Sequence, residues 1–158
     1  MTQQQESRSY LSLAQCAELI GRSVQTLRDM RQTGWFLDPD VVLVPAADGP
    51  GVPGWDRARL IAWAQETGRL DAQGRPISGA REGGRYVGET PPARWRNRPE
   101  EYLSGRACAV GAGISVSTLR KLRLLGTWPN PDVTVGIFPG WSRETFARAR
   151  HHTSEVAA

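Results

Sequence analysis

The chain repeats itself. Shifted by 92 positions, Tyr10-Leu11-Ser12 falls on Tyr102-Leu103-Ser104, Cys16-Ala17 on Cys108-Ala109, and Ser23-Val24 on Ser115-Val116. Thr26-Leu27-Arg28 meets Thr118-Leu119-Arg120, Arg31 meets Arg123, and Pro39-Asp40-Val41 meets Pro131-Asp132-Val133. Between 10 and 41, 16 of 32 positions are identical without a gap, too many for a chance likeness of two helices. Six residues are then missing from the second copy, after which Pro53-Gly54-Trp55 meets Pro139-Gly140-Trp141. Whatever one copy forms the other must form too, within about 60 residues, a size that folds alone only marginally. The expected organisation is a disordered polar tail at 1–9, a first domain at 10–70 and a linker at 71–99. A second domain follows at 100–152, with a closing tail at 153–158.

Each copy reads as two short helices, a hairpin and a third helix. Ser12 and Gln15 have the spacing of a capping box, opening a helix over Leu13 to Ile20 that Gly21 ends. Ser23 caps a second helix with Val24, Leu27 and Met30 on one face, closed by Gly34. The second copy repeats this with Ser104, Gly113, Ser115, Val116, Leu119, Leu122 and Gly126. Two helices around a Gly turn make the helix-turn-helix pattern. The run Val41 to Val44, the turn-rich stretch to Gly51 and Val52-Pro53-Gly54 read as a β-hairpin, the wing. The second hairpin, Val133 to Phe138, is shorter and blunter. Asp56 and Ser142 cap the third helices, which follow Trp55 and Trp141. The fold class expected is mainly α with small β-hairpin wings: two tandem winged helix-turn-helix domains.

Charge is unevenly placed. Residues 1–75 carry a net −1 and residues 76–158 a net +5, which together give +4. A basic sequence pI near 9.7 permits nucleic acid as a partner without proving it. Arg75, Arg81, Arg85, Arg94, Arg96 and Arg98 lie along the Gly/Pro-rich linker, either as an arm on phosphates or a minor groove or as a solvated spacer. The polar N-terminus lacks a signal-peptide core, and no apolar run approaches a membrane span. With two cysteines and no disulfide framework, the cytoplasm or nucleoid is the expected compartment.

In a helix-turn-helix the second helix enters the major groove with its N-terminal end toward the base edges. The residues facing away from the Val24/Leu27 stripe are Gln25, Thr26, Arg28, Asp29 and Gln32, with Ser23 and Arg31 beside them. In the second copy they are Ser117, Thr118, Arg120, Lys121 and Leu124, with Ser115 and Arg123 beside them. Glutamine can pair with adenine, arginine with guanine, and threonine can touch a thymine methyl. Arg28/Arg120 and Arg31/Arg123 recur, which suits a shared grip on phosphate. Gln25/Ser117 and Asp29/Lys121 differ, which suits two different target sequences.

The Thr-Leu-Arg triplet followed by Gly eight positions after the threonine resembles MerR-type regulators: Thr26-Leu27-Arg28 with Gly34, and Thr118-Leu119-Arg120 with Gly126. Phage excisionase and AlpA-like modules look closer still, since they also end in a wing and a Trp-started helix. The resemblance covers 10–67 and 102–150. It implies a winged helix-turn-helix that binds double-stranded DNA. The aromatic pair that follows the triplet in MerR proteins is Asp29-Met30 and Lys121-Leu122 here. The long dimerisation helix and effector domain of that family are missing. A covalent tandem would replace the dimer, binding as a monomer with two readers, with side-by-side assembly on DNA also open.

Catalysis is not expected. Cys16 and Cys108 sit at equivalent positions on apolar faces, as core residues do. His151 and His152 are adjacent near the C-terminus. No phosphate loop, zinc-ligand spacing or carboxylate pair is present, so neither cofactor nor metal is expected. The expectation is a sequence-specific DNA-binding transcription regulator or repressor of phage or plasmid type. Two alternatives are an architectural protein of recombination directionality or partition, and a protein-interaction module that has lost DNA binding.

Overall fold

A computed structural model describes residues 6–78 and 90–156, with the backbone alone for 153–156. The first copy contains β1 (Arg8–Tyr10), α1 (Leu13–Ile20), α2 (Val24–Thr33), β2 (Val41–Val44), β3 (Val52–Gly54) and α3 (Arg57–Glu66). The second contains β4 (Glu100–Ser104), α4 (Gly105–Ala112), α5 (Val116–Leu124), β5 (Val133–Val135), β6 (Phe138–Trp141) and α6 (Arg143–Val156). Local chemistry explains the helix ends. Ser12 and Gln15 close the capping box in both directions, while Ser104 caps α4 alone because Ala107 stands where Gln15 would be. Gly21 and Gly113 take the left-handed conformation (φ 67° and 69°), which turns each chain sharply from its first helix into its second.

The expectation of a mainly α chain with small hairpin wings is wrong. The molecule is mixed α/β, built on one six-stranded mixed sheet in the order β1-β5-β6-β4-β2-β3. Each copy's hairpin is antiparallel, but its outer partner comes from the other copy. β1 runs parallel to β5, Arg8 beside Val133 and Tyr10 beside Val135, and β4 runs parallel to β2, Glu100 beside Val41 and Tyr102 beside Leu43. These registers are the same pairing seen twice, as the repeat demands. Leu103 pairs antiparallel with Trp141 on β6, and at the equivalent place Leu11 bridges Trp55 through N–H to O contacts of 2.8 and 3.0 Å. The second contact brings the two ends of the sheet together, so the strands nearly close into a barrel.

Edge physics accounts for the exchange. An isolated two-stranded hairpin is marginal in water and leaves both edges unpaired. Here the second hairpin is covered on both edges, by β1 and β4, and the first on its β2 edge by β4, with the Leu11–Trp55 bridge just beyond the end of β3. The covering strands are polar and only three to five residues long, so they carry no alternating pattern to reveal them. β1 therefore takes residues 8 and 9 out of the expected disordered tail. The hairpins are walls of a shared barrel rather than projecting wings: the Gly136 N–H donates to the Tyr10 carbonyl at 3.0 Å.

The repeated residues are largely the barrel's fittings. Val41, Leu43, Tyr102, Val133 and Val135 form its buried core, with Tyr10 and Val52 against it. A Cβ added at Gly54 would meet Val135 at 2.7 Å and Val41 at 2.9 Å; one at Gly140 would meet Leu43 at 2.4 Å and Val133 at 2.9 Å. Only glycine lets these strands approach so closely. The next residues, Trp55 and Trp141, are fully buried, and their indole N–H groups donate to the Leu37 and Pro129 carbonyls, each at 3.0 Å. Asp40 and Asp132 accept the backbone N–H of Asp56 at 2.8 Å and Ser142 at 2.7 Å, fixing the starts of the third helices.

A helical core flanks the barrel in each copy. The first gathers Cys16, Ile20, Leu27, Phe36, Trp55, Leu60, Trp63 and Trp95; the second Cys108, Leu119, Trp128, Trp141 and Ala149. Trp95 comes from the expected linker. It lies in a 3₁₀ turn, Ala93–Trp95, and packs edge-on to Trp35 and Trp63 at 6.0 and 6.2 Å between ring centroids. At the other end of that segment Leu70 bridges Pro76. Residues 71–78 and 90–99 are thus partly folded against the first copy rather than a free spacer; 79–89 lie outside the described residues. The backbone of α6 carries the chain to Val156, so 153–156 continue a helix instead of the tail expected there.

Candidate nucleic-acid interface

The helix-turn-helix units present α2 and α5 to solvent by a common construction. Leu27 and Leu119 anchor each helix in its core. Ser23 Oγ accepts the Thr26 N–H at 3.1 Å and Ser115 Oγ the Thr118 N–H at 3.0 Å; in both copies the two hydroxyls also meet at 2.8 Å. Ser23, Thr26, Ser115 and Thr118 therefore build the helix starts. Their hydroxyls stay at a helix N-terminus, where the peptide dipoles favour an anion.

The recurring arginines divide into two kinds. Arg31 stacks its guanidinium over Trp55 at 5.3 Å from the ring centroid, and Arg123 over Trp141 at 5.4 Å. The repeated Arg–Trp pair ties the second helix of each unit to the residue that follows the hairpin, a structural use the sequence reading missed. Its signal was present: both members recur in both copies. Arg28 and Arg120 are exposed and carry no hydrogen bond or ion pair to a described residue, and the same holds for Lys121, Ser117 and Gln32. They are the side chains most available to a ligand. Gln25 Nε2 donates to Asp29 Oδ1 at 2.9 Å, so on α2 these two act as one unit. Where α2 has Gln32 and Thr33, α5 ends in Leu124 and Leu125, 88% and 74% exposed.

In the connecting segment, three of the arginines read as either an arm or a solvated spacer are held by the first copy's residues or by the segment itself. Arg75 pairs with Asp71 at 2.9 Å, Arg94 with Glu66, and Arg96 with Asp38 at 3.1 Å and with the Gly34 carbonyl. Arg96 thereby places a cation at the C-terminal end of α2, where the dipole favours it. Arg98 is exposed and makes no ion pair with a described residue. Arg81 and Arg85 lie outside the described residues.

Both thiols are turned inward. Burial pushes both thiols, Cys16 and Cys108, up to about 12, which leaves them protonated and poor nucleophiles near neutrality. The Tyr102 hydroxyl donates to Glu100 at 2.7 Å and holds that carboxyl below its usual range, with Arg8 alongside. This is a polar clasp between the two leading strands. Among the described residues no helix is long and apolar enough to cross a membrane. Comparison with known proteins finds no matching family model, no matching curated protein and no matching solved structure.

Proposed function

We propose that the chain is a sequence-specific double-stranded DNA-binding protein, without catalytic activity, that uses α2 and α5 as two readers held on one barrel. The observation that carries this reading is the pair of equivalent exposed helices, each started by a Ser/Thr cap and each offering an exposed arginine, Arg28 or Arg120, that pairs with no described residue. The likeness of these units to MerR-type and excisionase-like modules supports the same reading. One chain then supplies the bivalency that a dimer supplies elsewhere, and it acts as a monomer. Its role is that of a transcription regulator or repressor, or of an architectural protein in recombination or partition, in the cytoplasm at the nucleoid.

The test is binding to labelled duplexes over a range of salt. Each phosphate contact contributes a log–log slope of about 0.9, so losing Arg28 and Arg120 together should reduce the slope by about two. Wild-type binding that stays weaker than about 10⁻⁴ M in every duplex, or a slope the double variant leaves unchanged, contradicts the reading. A second reading, a protein-interaction module, is favoured by Leu124 and Leu125 standing exposed at the end of α5. Such a module would show partner binding that salt weakens little and that Leu124→Gln/Leu125→Thr abolishes.

A further inference from the structure

Resting on the reading of α2 as a DNA reader, we propose that Asp29 is a positioning residue. It holds the Gln25 amide so that α2 reads an adenine in the major groove. Gln25 is the second residue of α2, at the end that enters the groove in a helix-turn-helix. An ionised carboxylate only accepts hydrogen bonds, so the group that faces Asp29 must be the amide nitrogen, as the 2.9 Å contact has it. That fixes the rest of the amide. The Gln25 carbonyl oxygen carries no bond to a described residue; with the carboxylate accepting the amide hydrogen trans to that oxygen, the oxygen and the second hydrogen form one free edge. This acceptor–donor edge is the one that meets the adenine N6 amino group and N7.

The pairing explains an otherwise costly choice. A carboxylate on a helix that approaches phosphates repels them, and the second copy has Lys121 at the equivalent place. Asp29 is useful there if it orders Gln25 before binding, removing rotamer freedom that binding would otherwise have to remove. Ser117 and Lys121 cannot form this amide edge, so the adenine preference belongs to the half-site under the first copy. Asp29 thus exchanges some general affinity for discrimination.

Selection from a pool of randomised duplexes, followed by competition among the four bases at the chosen position, tests this. The wild type should prefer adenine there by roughly 5- to 150-fold, the range of one good bidentate pair. Gln25→Ala should erase the preference. Asp29→Ala should shrink it at least about threefold while strengthening binding to random duplex, because a repulsive charge is gone. Asp29→Asn, whose side-chain carbonyl still accepts from Gln25, should keep most of the preference. Both sites are exposed, and circular dichroism checks that each variant is folded. A preference that survives Gln25→Ala or Asp29→Ala overturns the assignment. So does selection of cytosine lost in Asp29→Ala, which would mean the carboxylate itself reads the base. Failure of the wild type to bind any duplex overturns the DNA reading, and this assignment with it; a selective protein indifferent to residues 25 and 29 overturns this assignment alone.

Discussion

Gly140→Ala asks whether the two copies are one folding unit. The new methyl would stand 2.4 Å from Leu43 Cδ2, 2.9 Å from Val133 Cγ2 and 3.1 Å from Tyr102 Cβ. Leu43 is fully buried and has nowhere to swing, Val133 is stiff at its branched carbon, and Tyr102 Cβ is fixed to the backbone of β4. Overpacking of this kind costs about 1–3 kcal/mol. Alanine also restricts the unfolded chain, which offsets about 0.4–1 kcal/mol. The net loss is about 1–2 kcal/mol, and at roughly 2–4 °C per kcal/mol for a chain of this size Tm falls by about 2–8 °C. The first clash is with a residue of the first copy, so calorimetry should show one transition and the whole of it should move. Two transitions of which only one shifts, or a Tm that stays put, would refute the shared barrel core.

Further expectations follow from the same contacts. Trp95→Ala removes a buried ring from the first helical core and should cost about 3–5 kcal/mol in urea unfolding, although residue 95 lies between the repeats. Arg31→Ala and Arg123→Ala should lower the urea midpoint by losing the stack on Trp55 and Trp141, each by about 0.5–2 kcal/mol. Arg28→Ala and Arg120→Ala, exposed and unpaired with described residues, should leave the midpoint within about 0.5 kcal/mol. The folded thiols titrate at about 12 against an ordinary 9.0, so their contribution is full below pH 9 and is lost as pH rises toward 12. Urea midpoints measured from pH 7 to 10.5 should therefore decline above pH 9, and less steeply in a Cys16→Ala/Cys108→Ala variant.

The helices were legible because their signals are local. Ser12 with Gln15, Ser23 ahead of Val24, and Gly21 at the turn each act within a few residues, and the repeat wrote most of them twice. The hairpins were legible too, from the valine run at 41–44 and the Pro-Gly-Trp returns. What the hairpins pair with was not. Arg8–Tyr10 and Glu100–Ser104 become strands through partners 125 and 59 residues away at the first pair of each register, Arg8 with Val133 and Glu100 with Val41. No short-range pattern encodes that choice. The repeat was read as two like domains, but the repeated Val41/Val133, Gly54/Gly140 and Tyr10/Tyr102 make a surface that each copy completes for the other. In the interface, exposure of Arg28 and Arg120 followed from helical spacing, whereas the stacking of Arg31 and Arg123 needed the tryptophans brought back by the hairpin. Composition left Arg94 and Arg96 open as a basic arm or a solvated spacer; the Trp95 between them carries both onto acidic partners, Glu66 and Asp38, which no local pattern announces.

If the proposed function holds, two equivalent helices on one barrel grip a DNA backbone. Hydroxyl-radical footprinting of a selected duplex, with wild type, Arg28→Ala and Arg120→Ala in turn, tests it most directly. Two protected backbone patches from a single chain are expected, one weakened by the first substitution and the other by the second. A footprint that neither substitution changes, or no protection at all on any selected duplex, would contradict it.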